Sequence, residues 1–401
     1  VKIWPFIAAA LVGCGDGSIA PGRDAQKVVQ RALIQAKPGD VVLLRSGTFD
    51  FTRTLSLAVE GVTIRGAGSN RTILRFANQT TGSGGEGVLV TKGGFTIEDL
   101  AIEDPRGDAL KVTGADGVTI RRVRVEWTGG PSSDNGAYGL YPVESRNVLI
   151  EECEAIGASD AGIYVGQCEN AIVRNNVARQ NVAGIEIENT IGADVYGNTT
   201  EDNTGGMLVF TLPNLPKKEG RQCRVFGNEI RANNRENFAR PGQMAGNIPP
   251  GSGLLVIAHD DVEIFENVFA DNQTVNVAVL SFLTTGRKLK DPYFDPYCEG
   301  IHIHDNRFDG GGTNPAGDLA DLLRTAGGPD IVYDGDEDPA KAVDGALPDE
   351  FALKIGPNGG ATFANLDLAS VRAGREANLQ TDLAAYAGSH PPLPQIVLEA
   401  R

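Results

Sequence analysis

The sequence predicts an all-β solenoid, and three observations carry the prediction. Nine strand-like segments superpose on one position: VTIRGA, FTIEDL, VTIRRV, VLIEEC, AIVRNN, ADVYGN, CRVFGN, VEIFEN and IHIHDN. They place Ala67, Leu100, Val123, Cys153, Asn176, Asn198, Asn228, Asn267 and Asn306 three residues beyond the last inward apolar residue. The intervals between these positions are 33, 23, 30, 23, 22, 30, 39 and 39 residues, so a unit of 22 to 23 residues recurs and the longer units carry insertions. Period-two alternation makes the units strands, and a coil of two or three short strands buries its apolar face only by stacking on its neighbours. Five consecutive Asn in one register then form a ladder, each amide bonding the next one strand spacing, about 4.8 Å, away. A second column, Asn181, Asn203, Asn233 and Asn272, lies five residues further on.

The elements follow in order. Lys2 precedes the apolar run Ile3 to Val12, and Leu11-Val12-Gly13-Cys14 resembles a bacterial lipobox. The resemblance implies that residues 1–13 are a lipoprotein signal peptide and that Cys14 is lipidated. Ten apolar residues are too few to span a bilayer. Gly15 in place of Asp after the Cys points to the outer membrane, so the expectation is a soluble body tethered to the bacterial cell envelope by its lipid alone. Residues 14–40 read as a linker and cap: Asp24 to Ala36 is an amphipathic helix, and Lys37-Pro-Gly-Asp-Val-Val-Leu-Leu44 leads into the first coil. The stack occupies residues 41–311.

With its helix, its GDVV turn and its Asn ladder, the chain resembles the right-handed parallel β-helix proteins of the pectate-lyase-like superfamily over about residues 22 to 311. The resemblance implies a right-handed, single-stranded parallel β-helix with an N-terminal cap helix. It is similar in particular to a family of bacterial β-helix-repeat lipoproteins that brings no assigned reaction. The superfamily hosts lyases, hydrolases, epimerases, adhesins and accessory proteins, so function has to be argued from the site. Residues 312–401 drop the repeat: Asp318 to Ala326 reads as helix, Asp334 to Asp338 as an acidic turn and Ala361 to Leu368 as loose strand, before the Pro-rich His390-Pro-Pro-Leu-Pro394. Solenoids need caps, and this stretch is expected to be an irregular C-terminal cap running back along the stack.

Composition narrows the partners. The formal charge is −16 over 401 residues, and removing residues 1–13 takes away one Lys and no acid, giving −17. That balance argues against nucleic acid. Cys153 and Cys223 fall at inward positions and are expected to be core thiols. Cys168 and Cys298 share a register but stand four coils apart, about 19 Å, beyond disulfide reach.

The insertions point to a site. Strands opening with Gly139, Gly162, Gly184, Gly206 and Gly253 form one sheet, and the long loops 128–137, 211–220, 235–250 and 283–300 all flank it. Loops walling one face of a rigid solenoid make a groove suited to an extended polysaccharide. Period-two reading puts Lys111, Tyr141, Tyr164, Glu186, Leu208 and Leu255 in one outward column, and Thr113, Val143, Gly166, Glu188, Phe210 and Ile257 in the next. Glu186 and Glu188, two residues apart on one face, are the candidate base or cation ligands, with Tyr164 as acid and Lys111 or Arg106 neutralising a uronate. Tyr141, Asp108 and His259 are candidate substrate contacts. Asp260 and Asp261, beside His259, join Glu186 and Glu188 as candidate ligands for Ca²⁺. Leu208, Phe210, Leu255 and Ile257 would expose an apolar patch unless loops or tail cover them.

His302 and His304, with Glu263 one coil below His302, have a geometry suited to a transition metal, but on a different sheet. Absent are the Asp-Pro-His-Glu motif of alginate epimerases, the paired Asp and catalytic His of polygalacturonases, and the Ca²⁺-Asp and Arg set of pectate lyases. Two classes of function remain: lyase or epimerase chemistry on a glycan in the groove, or non-catalytic docking of an exported redox or metal partner.

Overall fold

Residues 17–82 and 84–399 are described by a computed structural model, and the lipidation site expected at Cys14 lies outside them. The strands stack into two parallel sheets. One carries 11 strands in strict chain order, from Leu55–Leu57 to Phe363–Asn365; the other carries 19 and turns a corner along its length. The chain is thus the right-handed parallel β-helix that the family resemblance implies.

The corners explain the ladder. One residue before eight of the nine ladder positions, all but Ala67, adopts a left-handed conformation, among them Arg122 (φ 51°), Glu152 (φ 55°), Asn175 (φ 56°) and Glu266 (φ 54°). That conformation costs a non-glycine residue roughly 1–2 kcal/mol, and it turns the next side chain into the interior. The ladder bonds offset the cost. Asn228 Nδ2 donates to Asn267 Oδ1 at 2.9 Å, and the same oxygen accepts the Asn228 backbone N–H at 3.0 Å. The second column behaves alike, with Asn181 Nδ2 to Asn203 Oδ1 at 3.0 Å.

The repeat does not stop at residue 311. Asn306 Nδ2 donates to Asn358 Oδ1 at 3.0 Å, adding a sixth Asn to the ladder, and Ile355 pairs with Ile303. Ile331–Tyr333 and Phe363–Asn365 extend the 11-stranded sheet past the strand Val275–Leu280. The 52-residue separation of these two Asn hides the register from a reading by period.

At the N-terminal end the helix Ala25–Gln35 lays Ala25, Val29 and Leu33 over the first coil, a spacing of four that keeps one face buried. No helix among the described residues is long and apolar enough to cross a membrane. At the other end the helix Ala320–Thr325 folds onto the 11-stranded sheet. The final segment runs back along the 19-stranded sheet, where Leu393 N–H donates to Glu263 Oε2 and Ile396 N–H to Asp194 Oδ2, both at 3.1 Å. The thiols of Cys153, Cys168, Cys223 and Cys298 are free and buried.

Candidate functional site

The glycines that open the strands of the 11-stranded sheet are there for room. A Cβ on Gly184 would lie 2.5 Å from the Gly206 carbonyl oxygen, too close for any side chain. Beyond each glycine the strand alternates, and neighbouring coils stay in register. Tyr164, Glu186, Leu208, Leu255, Ala278 and Val332 form one outward column, with Gly166, Glu188, Phe210, Ile257 and Leu280 beside it.

This surface is roofed. Ala245 and Ile248 from the loop before Ser252, and Leu323 from the helix Ala320–Thr325, pack on Leu208, Phe210 and Leu255. Arg240 ties that loop to the loop 128–137: its guanidinium donates to the carbonyls of Ser133 (2.7 Å), Asp134 (3.1 Å) and Asn135 (2.8 Å). Beneath the roof is a cleft of about 620 Å³, apolar over most of its floor and lined at one end by Tyr138, Asp160, Tyr164, Glu186 and Glu188.

The glutamates are therefore not a solvated pair. Glu186 is 4% exposed and Glu188 6%. Burial, then the charge of Asp160, raises the carboxyl of Glu186 well above the usual range and pushes Glu188 up to about 7. Asp160 is raised as well, by burial first, while a hydrogen bond from Tyr138 and the charge of Asp108 act on it in opposite directions. Three aromatic rings close this end: the Tyr138 centroid is 4.6 Å from those of both Tyr141 and Tyr164. Gly166 accommodates the Tyr164 ring, since a Cβ there would lie 2.2 Å from it.

Other expected residues fall elsewhere. Lys111 holds its ammonium over the Tyr141 ring at 4.9 Å from the centroid. Burial pushes the Tyr141 phenol up to about 12. Asp108 accepts the Tyr138 backbone N–H at 3.3 Å and is pushed up to about 6 by burial, with Lys111 opposing. Arg106 is exposed; its backbone amide donates to Gln79, and it does not line the cleft.

His259 is a correction. The left-handed Ala258 (φ 49°) turns its ring inward, onto Gly220, where a Cβ would meet it at 2.4 Å. Its Nδ1 lies 3.2 Å from Thr211 Oγ1, and burial pulls its pKa down to about 3, so it is a neutral core residue rather than a substrate contact. Asp260 and Asp261 do not join the glutamates either. Asp260 clusters with Asp295 and Glu299, and the Lys341 ammonium binds the latter two, 2.9 Å from Asp295 and hydrogen-bonded to Glu299. Burial first, then the Asp295 and Glu299 charges, pushes Asp260 up to about 8. Asp261 faces Gly300 instead, with its Oδ1 2.7 Å from where a Cβ would stand.

Two residues of the cleft escape sequence reasoning, Tyr138 and Asp160. Both lie just before a glycine-led strand, where the tight approach at glycine breaks the period-two rule. Their signal is an aromatic or acidic residue at the loop exit, as in Ala-Tyr138-Gly and Ser-Asp160-Ala-Gly.

The family described as right handed beta helix region matches residues 48–214 and 132–309. A search of curated proteins finds no match. Solved structures that resemble the chain include an alginate lyase of Paenibacillus sp. str. FPU-7, with 16% identity over 80% of this chain and 97% of that one and a TM-score of 0.50. The N-terminal fragment of gene product 12 of bacteriophage Phi29 is similar at 14% identity over 83% and 59%, with a TM-score of 0.53. The A-module of a mannuronan C-5 epimerase of Azotobacter vinelandii is similar at 16% identity over 80% and 91%, with a TM-score of 0.48.

Proposed function

We propose that this chain, which belongs to the right-handed β-helix family, binds a stretch of extended glycan in the roofed cleft and exchanges protons with it through Asp160, Glu186 and Glu188. One observation carries the reading. Three buried carboxyl groups converge at one end of a cleft whose lining, among the described residues, holds no Lys, Arg or His. A carboxyl near neutrality, as Glu188 is, divides between acid and base at working pH, and a second raised carboxyl beside it takes the complementary role. The tyrosine rings offer faces for the apolar side of a sugar.

The same lining sets the substrate class. A polyuronate brings negative charge and a carbanion-like intermediate that a neighbouring cation must stabilise. Lys111 sits on the Tyr141 ring and Arg106 lies outside the cleft, so a neutral glycan suits this site better than the uronate anticipated from sequence. The alginate lyase and the mannuronan epimerase, at 16% identity, speak for the scaffold alone. The lipobox at Leu11 to Cys14 supports an outer-membrane-anchored, envelope location for this activity.

The test is a panel of neutral and uronic polysaccharides assayed for new reducing ends and for unsaturated products. The expected result is turnover of a neutral glycan that falls at least about 100-fold in Asp160→Asn and in Glu188→Gln, with circular dichroism unchanged. Unsaturated product from uronates alone, or turnover unaffected by both variants, overturns the assignment. The aliphatic floor of Leu208, Leu255, Ala278 and Val332 favours a second reading, non-catalytic docking of an apolar segment of an exported partner. No turnover on any glycan, together with binding of an apolar peptide that Leu255→Asp removes, would select it.

A further inference from the structure

Three of the four histidines of this chain meet on the opposite sheet, far from the cleft. His302 and His304 project from one strand, with their ring centroids 4.1 Å apart, and Glu263 lies one coil below as the register partner of His302. His390, in the C-terminal segment, stands edge-on to His302 with 6.0 Å between centroids. Its Nε2 is 2.8 Å from the Ala352 carbonyl, which holds the ring in place as a lid. Prolines at 391, 392 and 394 keep the covering segment extended and leave Leu393 as the N–H that reaches Glu263.

The hydrogen bonds sort the donor atoms. Asp305 Oδ2 lies 2.8 Å from His304 Nδ1, which fixes that ring with Nε2 turned toward Glu263. Leu393 N–H occupies Glu263 Oε2 and leaves Oε1 facing the histidines. A carboxylate on the far nitrogen of a ligating histidine is the usual orienting partner of a metal ligand. His304 Nε2 and Glu263 Oε1 are 3.3 Å apart, the edge of a tetrahedron whose bonds to Zn²⁺ are about 2.0 Å. One donor atom from each of Glu263, His302 and His304 lies within 4.8 Å of the other two.

A purely structural account covers only part of this. The His304 ring ends a stack of Tyr196, Phe226 and Phe265, with the Phe265 and His304 centroids 5.2 Å apart, so its aromaticity alone would place it. His302 is the residue that account leaves out. It is 93% buried, and neither ring nitrogen has a hydrogen-bond partner. A buried imidazole with two orphaned nitrogens costs free energy unless something engages them.

We propose that Glu263, His302 and His304 bind a divalent transition-metal ion of the zinc class beneath the segment that carries His390. Two imidazoles and one carboxylate are a donor set for Zn²⁺ or Co²⁺ rather than for Ca²⁺ or Mg²⁺. The three side chains come from adjacent coils of a rigid sheet, so the site is preformed.

The experiment titrates the metal-free, full-length protein with Co²⁺ and then Zn²⁺, following the visible ligand-field absorption of Co²⁺ and its displacement. One Co²⁺ per chain with tetrahedral-type absorption, displaced by one Zn²⁺, is the expected result. His302→Ala and Glu263→Gln should each weaken binding at least about 100-fold. His304→Phe keeps the aromatic stack, so loss of binding in a variant of wild-type melting temperature separates ligation from packing. No stoichiometric Co²⁺ binding by the wild type, or binding that survives His302→Ala and His304→Phe together, overturns the proposal. Survival of that kind would assign the ion to the carboxylates of Asp260, Asp295 and Glu299 instead.

Discussion

Replacing Glu188 by Gln keeps the shape of the side chain and removes its titration. Folded, this carboxyl is pushed up to about 7, by burial and then by Asp160, against an unperturbed 4.5. Its folded form therefore binds more protons than its unfolded form between those values. Linkage then makes the wild type lose stability as pH rises through that window, and none below it. The loss is about 1.4 kcal/mol per pH unit, so roughly 3 kcal/mol has accrued above pH 8. Glu188→Gln carries no such penalty. Urea denaturation at pH 4.5 and 8.5 should give near-equal stabilities at the lower pH and a variant more stable by about 3 kcal/mol at the higher. Parallel pH dependence of wild type and variant would refute the reasoning, because it would mean that Glu188 is solvated or paired with a cation in the folded protein.

The Asn ladder and the lipid anchor yield two more expected outcomes. Asn228 accepts from Asn198 N–H and Nδ2 and donates to the Val195 carbonyl and to Asn267 Oδ1, all between 2.9 and 3.0 Å. Asn228→Ala orphans several of these buried groups and should cost about 3 kcal/mol or more in chemical denaturation, whereas a cost under about 1 kcal/mol would show that the ladder does not hold the stack. Cys14→Ala should move the protein from the membrane fraction to the soluble fraction of its host, and unchanged partition would remove the lipobox reading.

What the sequence discloses follows from how local each interaction is. The outward columns of the cleft sheet were legible because neighbouring strands pair in flat parallel register and period two holds along them. The burial of Glu186 and Glu188 was not, since their roof comes from residues 236–250 and 315–326, up to 140 residues away. His259 was misplaced because one left-handed residue at a corner reverses inside and outside, which no alternation rule registers. Asn358 was missed for a different reason. Its Leu353-Lys-Ile355-Gly-Pro-Asn358 repeats the ladder pattern, but across an insertion long enough to hide the period. Of the residues lining the acidic end, Tyr164, Glu186 and Glu188 were readable, and Tyr138 and Asp160 fell in the irregular step before a glycine.

The treatment of buried acid elsewhere in the molecule separates scaffold from site. Glu151 is as hidden as Glu188, and burial alone would raise it. Arg174 and Arg121 instead bind both its oxygens and hold it below the usual carboxylate range. Glu98 is likewise paired with Arg65 and Arg122, and Arg224 lies 3.2 Å from Asp194, whose carboxyl burial nevertheless raises. The fold thus has a ready means of neutralising a buried carboxyl, an arginine one coil above or below in the next strand. In the cleft the corresponding positions around Glu186 are Tyr164 and Leu208, and around Glu188 they are Gly166 and Phe210. None of these is a cation. An unpaired buried carboxyl destabilises the native state at neutral pH, and three placed together in a solenoid that pairs Glu98 and Glu151 with arginines are a cost that folding does not require. The same contrast holds on the opposite sheet. There the Asn side chains of the ladder have their donors and acceptors engaged, while the buried His302 has neither nitrogen engaged. In both places a covering segment turns outward ionisable side chains into buried ones without supplying their counterparts, which leaves that role to a ligand.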